Sequence, residues 1–251
     1  MCIMYIFNEP CKPQCNTFSN GMGFCQHVHF VLQTTFMIHI EYIYFDKHTM
    51  SFPAFFDQVP SITLHDPLAE LLGSVQDGVM TYGYADAVRL AGHSCPTVAS
   101  TYWLGVRAIR ALYGAQLPQR GHIAVDLRDA YDAGTTGVVA SVLGLLTGAA
   151  AEGGFAGLGG QFVRRGLMRF GADIPTALRF TRTDTGQVVL AQAHLQSVPG
   201  DPHAMRLLPL CLNDTASAAE RAEFGRLWQA RVQRILLEHA NDDAVFSLQT
   251  L

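Results

Sequence analysis

Lysine is almost missing from this chain: Lys12 and Lys47 are its only two in 251 residues, and from Met50 onward the positive charge comes from fifteen arginines. Charged residues of both signs make up only 15% and the formal net charge is -4. Without a basic stripe there is nothing to release counterions from a phosphate backbone, which argues against a nucleic-acid partner. A positively charged segment ahead of an apolar run is also lacking, so no export signal is expected. Long clean apolar runs are scarce. The best of them, "VHFVLQTTFMIHIEYIYF", carries His29, His39 and Glu41 and falls short of the roughly 20 apolar residues a membrane helix needs. The expectation is a cytoplasmic protein with no membrane segment.

Cysteine is sparse and unevenly placed. Four of the six, Cys2, Cys11, Cys15 and Cys25, fall in the first 49 residues. They could join His27 and His29 in a zinc module, but "CKPQC" has no second pair at the spacing such a module uses. Those 49 residues contain no alanine and no arginine, whereas both are abundant after Met50. The break sets an expected boundary: 1–49 an atypical leader outside the core fold, 50–251 a single domain with a C-terminal helix. Apolar residues reach 49%, enough for a core that needs no disulfide.

Within 50–251 the local signals alternate between helix and strand. "LHDPLAELLG" places Asp66 at an N-cap, Pro67 at the first helical position and leucines at 68, 71 and 72, predicting a short amphipathic helix stopped by Gly73. "GVMTYGYADAVRLAG" predicts a brief strand, a turn at Gly83 and a second helix ending at Gly92. Pro96 then opens a third helix with Cys95 at its N-cap, with Tyr102, Val106, Ile109 and Leu112 on its core face and Gly114 closing it. Ile123, Val125 and Leu127 alternate as in a strand; "DAYDAGTT" turns into the apolar helix "GVVASVLGLLTGAAAEGG". Two further strands flank Asp184-Thr185-Gly186 as a hairpin, and a long helix runs from about Ser217 to His239. No regular βαβ repeat links them, so the fold class expected is α+β, helices packed on a mixed or antiparallel sheet.

The stretch "LAGHSCPTVASTYWLG" carries the chemistry. A cysteine at a helix N-cap has its sulfur near unpaired N–H groups and the positive end of the helix dipole, which favours thiolate, the form that binds metal or attacks. His93 lies two residues earlier in a turn, and zinc accepts such a mixed nitrogen and sulfur set. A second reading stands beside it: a buried, inert cysteine next to a histidine satisfied by its neighbours.

"GHSCP" at the start of a helix resembles the His-x-Cys-Pro motif of the formylmethanofuran dehydrogenase E-subunit (FmdE) family, whose usual form is "HGHxCPG". The likeness runs from roughly residue 60 to 195 and includes the helix after the motif, the strand, the turn into an apolar helix ending in Thr147-Gly148, and the "TDTGQ" hairpin. It implies an α+β core, an associated metal and a homodimer. Where the family has its first histidine this chain has Ala91; Thr97 replaces the glycine after the proline; the cysteine of a "DACG" turn has Thr136 as its nearest counterpart, and Ala149 stands for the cysteine after Thr-Gly. The cysteine-rich tail of some members is missing, Cys211 being alone. A redox role using several thiols is thereby disfavoured, while a mononuclear site survives.

Zinc or another divalent ion would be held by His93 and Cys95, with His65, beside the first helix cap, and Asp132, in the turn matching the family's second cysteine, as further ligands. His65 alternatively packs or bonds at the cap, and Asp132 alternatively makes an Asx turn. "AEGGFAGLGGQFVRR" contains no phosphate-binding glycine pattern; Arg164 and Arg165 would either face an anionic ligand or form a solvated pair beside a strand. Two functions are expected: a metal-binding protein of the FmdE type, or an enzyme acting on a small molecule through the metal or through Cys95 as nucleophile with His93 as base.

Overall fold

The protein's structure, a computed structural model, describes residues 51–251, which form one compact unit. The leader with its cysteines and histidines, and the apolar stretch 28–45, lie outside the described residues. After a short 3-10 turn at Ala54–Gln58, β1 (Ile62–His65) pairs antiparallel with β2 (Val79–Tyr82), Ile62 opposite Tyr82 and His65 opposite Val79. Between them Asp66 caps α1 (Pro67–Leu71), its carboxylate accepting the backbone N–H of Leu68 and Ala69. The apolar face expected of this helix is not buried: Leu71 is 59% and Leu72 63% exposed. Five residues are too few for a packed stripe, and polar bonds at the cap hold the helix instead.

Helix α2 (Tyr84–Ala91) ends at Gly92, whose φ of +76° is the left-handed stop that glycine adopts without steric cost. Helix α3 (Pro96–Tyr113) is the spine of the molecule. Val98, Tyr102, Val106, Ile109 and Leu112 are buried as their spacing requires, and Trp103 and Ala108 are buried as well, so most of its circumference is covered. Against it pack α4 (Thr136–Thr147) and a five-stranded sheet made of β3 (Ile123–Leu127), β4 (Met168–Arg169), β5 (Leu178–Arg182), β6 (Val188–Ala193) and β7 (Phe246–Thr250). The order is β4-β3-β5-β6-β7, with β3 and β4 parallel and the other pairs antiparallel. A mixed sheet and six helices among the described residues make the fold α+β, as the sequence predicts.

Three details depart from the sequence-based expectation. Helix α4 stops at Thr147, earlier than its apolar run, because Gly148 turns left-handed and the Thr147 hydroxyl donates to Leu143 O. Helix α5 (Pro202–Leu212) is an addition, although Asp201 and Pro202 repeat the cap-and-proline signature of α1; Pro209 near its end masks the pattern. It packs on α6 (Ala218–Gln233), which starts at the Ser217–Glu220 capping box and continues through a π-helical turn, Arg234–Glu238, to His239. Strands β1, β4 and β7 are additions too; each is short and defined by its partner strand. Among the described residues no helix is long and apolar enough to cross a membrane.

Asp66 does more than cap α1. Its two oxygens accept Arg120 Nη1 and Arg164 Nη2, each at 2.7 Å, while Arg120 Nε also donates to Leu145 O in the last turn of α4. Arg164 is 7% exposed, so its assignment to a solvated surface pair is corrected: the guanidinium is drawn inward by Asp66. It lies against Gly121, where a β-carbon would overlap Nη1. Arg165 stays exposed. Burial pushes the Asp66 carboxyl up, but the Arg120 hydrogen bond and the charges of both arginines more than reverse this and hold it below its ordinary value of 3.8. The native state therefore binds this proton more weakly than the unfolded chain does. The stabilisation is complete above the unfolded-state value and is lost as pH falls from there through the lower native value. Replacing Asp66→Asn leaves two arginines facing a neutral amide and is expected to cost about 3 kcal/mol in urea unfolding, with the acid-limb dependence of stability reduced.

Candidate functional site

The turn between α2 and α3 is tightly held. Its anchor is Ser94, a residue with no motif of its own. The Ser94 hydroxyl donates to Gln229 Oε1 at 2.9 Å and accepts from the Tyr84 hydroxyl at 2.8 Å; its carbonyl accepts Trp228 Nε1 and Gln229 Nε2 at 3.2 and 3.1 Å. Burial pushes the Tyr84 hydroxyl well above its ordinary value, so it stays a proton donor. The turn is thus fastened to α6, more than 130 residues away in the chain. A serine between two more conspicuous side chains gives no signal of such a distant partner.

On either side of this anchor stand His93 and Cys95. His93 is exposed, and its Nδ1 lies 2.9 Å from Ala91 O. A carbonyl only accepts, so Nδ1 carries the proton and, in the neutral ring, Nε2 keeps its lone pair. Cys95 is half-buried against the core at the N-cap of α3, its sulfur accepting the Val98 N–H at 3.4 Å. The helix start and the capping thiol are as the sequence predicts.

The other two expected ligands are elsewhere engaged or alone. His65 sits in β1 with Nδ1 2.7 Å from Gln119 Oε1 and Nε2 2.7 Å from Glu70 Oε2. Both partners are acceptors, so both nitrogens donate when the ring is protonated. The Gln119 bond, outweighing a desolvation that opposes it, and Glu70 raise its pKa above 6.5. Both ring nitrogens are engaged, by Gln119 and by Glu70 of α1, and neither bonds Asp66 at the cap. Asp132 is exposed in the loop before α4 and makes no side-chain hydrogen bond among the described residues, neither the Asx turn nor a ligand contact. Among the described residues no three His, Cys, Asp or Glu side chains come together as a group able to hold a metal ion. His239 ends the last helical turn and bonds Asp242 Oδ2 at 2.9 Å.

A cavity of about 490 Å³ opens between the first turns of α3 and α4 and the β5–β6 end of the sheet. Neither His93 nor Cys95 lines it. The α3 wall carries Thr97, Ser100, Thr101 and Leu104; the other side carries Asp129 and the Ala133–Thr136 turn, with Gln192 and Leu178 from the sheet. Polar and apolar groups alternate around the space, the composition of a small-molecule site. Thr136, the position nearest the FmdE family's second cysteine, belongs to this wall. A scan against protein-family models matches no family, and a search of curated proteins finds no match.

Because Glu70 and Gln119 both favour the charged ring, an NMR titration of His65 is expected to show a midpoint above 6.5 that falls toward that value in Glu70→Gln. Cys95→Ser preserves an oxygen cap for Val98 and is expected to change stability little, while Cys95→Ala costs about 1 kcal/mol in thermal unfolding.

Proposed function

We propose that this is a small-molecule-binding protein of the FmdE type, with its ligand seated in the cavity between the first turns of α3 and α4. One observation carries the reading. The motif segment "GHSCP" and the turn "DAYDAGTT", which stands where the family has its "DACG" turn, are some 30 residues apart in sequence, yet Thr97, next after the first, and Asp129 and Ala133–Thr136 of the second line the same cavity, Thr97 and Thr136 being positions where this chain departs from the family's pattern. Packing of α3 against α4 brings them together. Whether the bound molecule is converted or only held depends on groups that reach it; Asp129 is the one ionisable side chain on the wall.

A second reading, metal binding at His93 and Cys95, is favoured by the two donor atoms themselves. Nε2 of His93 is uncommitted, and the Cys95 sulfur stands where a helix start stabilises a thiolate. The donor chemistry fits zinc, but the shell does not close, since a catalytic zinc takes three protein ligands. The pair therefore suits an ion completed by water, by the bound molecule or by a second copy of the chain.

The cavity reading is tested by thermal shift with a panel of small metabolites. Binders should raise the melting temperature of the wild type and leave Ala193→Phe, which fills the cavity, unmoved; equal shifts in both proteins, or no shift in either, remove it. For the metal, elemental analysis is expected to show bound zinc in the wild type and much less in both His93→Ala and Cys95→Ser. Equal content in all three removes that site.

A further inference from the structure

The cavity's walls constrain its ligand's chemistry. Thr101 and Thr136 are 4% and 6% exposed and both line the space. Neither hydroxyl has a hydrogen-bond partner among the described residues, although the hydroxyls of Ser100, Ser141 and Thr147 all donate back to carbonyls of their own helices. Such a bond is open to most hydroxyls in a helix, so two side chains at least nine-tenths buried that forgo it stand out. They are not sealed in the protein either; the sealed unpartnered atoms are Tyr113 Oη and Arg164 Nη1. Each hydroxyl therefore keeps some accessible surface on a residue that lines the cavity.

The end of α4 faces it too. This helix is 12 residues long, its N-cap Thr135 makes no side-chain cap bond, and no acidic residue occupies its first turn. The Thr136 and Val138 N–H groups donate to Ala133 O and Thr135 O, but no side chain offsets the positive end of the helix, which a ligand can complement. Apolar side chains line the space as well, Leu104 from α3 and Leu127 and Leu178 from the sheet, all nearly fully buried, with Gln192 beside them. Asp129, the only charged lining residue, is 61% exposed and lies 3.7 Å from Arg128 Nε, so its charge is at the rim and screened by solvent.

Resting on the reading of this cavity as the working site, we infer that its ligand is a small organic carboxylate. The carboxylate accepts from Thr101 and Thr136 at the start of α4, and an apolar body lies against these leucines. An acceptor-only head matches hydroxyl donors and a positive helix end, and neither needs a cationic side chain.

The test uses the full chain with two soluble probes of one shape, phenylacetate and phenylacetamide, titrated by calorimetry. Phenylacetate is expected to bind at least about tenfold more tightly than the amide, to lose about tenfold in Thr136→Val and to keep its affinity in Thr136→Ser. The probe comparison in the wild type stands whether or not the valine variant folds. Equal binding of the two probes, no binding of phenylacetate, or an unchanged affinity in a folded Thr136→Val overturns the inference. If phenylacetate fails while members of the metabolite panel still stabilise the wild type and not Ala193→Phe, the ligand class is wrong and the cavity stands. If the panel fails as well, both fall.

Discussion

A single carboxylate ties together the elements on which the rest of the domain is hung. Asp66 caps α1, bonds two arginines from distant parts of the chain, and through Arg120 reaches the carbonyls at the end of α4. Two cations against one anion leave a positive surplus. The C-terminal carbonyls of α4 lie beside it, where the helix dipole is negative, and offset part of that charge. Burial lowers the Arg164 pKa, Asp66 opposes this, and the Arg120 charge lowers it further, so the cluster holds its protons under tension between these effects. A site of this kind specifies one arrangement more than it adds stability, because breaking it exposes an unpaired buried charge.

Fixing the end of α4 also fixes its beginning. The helix is a rigid rod packed along α3, and at its far end the uncapped first turn forms one wall of the cavity. The same logic operates at the start of α3, where Ser94 is bonded to α6 and Tyr84 while Cys95 caps the helix. Both helix starts are thus held in place, while the Thr101 and Thr136 hydroxyls on the cavity wall make no hydrogen bond among the described residues.

The histidine and cysteine are conspicuous because they are near neighbours in sequence, yet that nearness says little about what surrounds them. In an extended turn, side chains two residues apart can face similar directions, but the residues that would complete a metal shell must come from elsewhere in the fold. His65 is held by Gln119 and Glu70, and Asp132 stands in solvent.

Where the physics is local, residues announce their structure. Asp66-Pro67, Cys95-Pro96 and the Ser217–Glu220 box are legible because cap bonds span two or three residues, and the Tyr102–Leu112 stripe is legible because a helix repeats every 3.6 residues. Strands as short as β4, by contrast, exist only through a partner far along the chain, and Ser94, Arg164 and Thr101 acquire their roles from atoms 90 or more residues away or from a space no local pattern describes. Residue order and spacing were enough for the helix starts, the core stripe of α3 and the α+β class. That two helix beginnings share a cavity, and that no three of the expected ligands come together among the described residues, came only with folding, because convergence of distant side chains depends on packing and not on spacing.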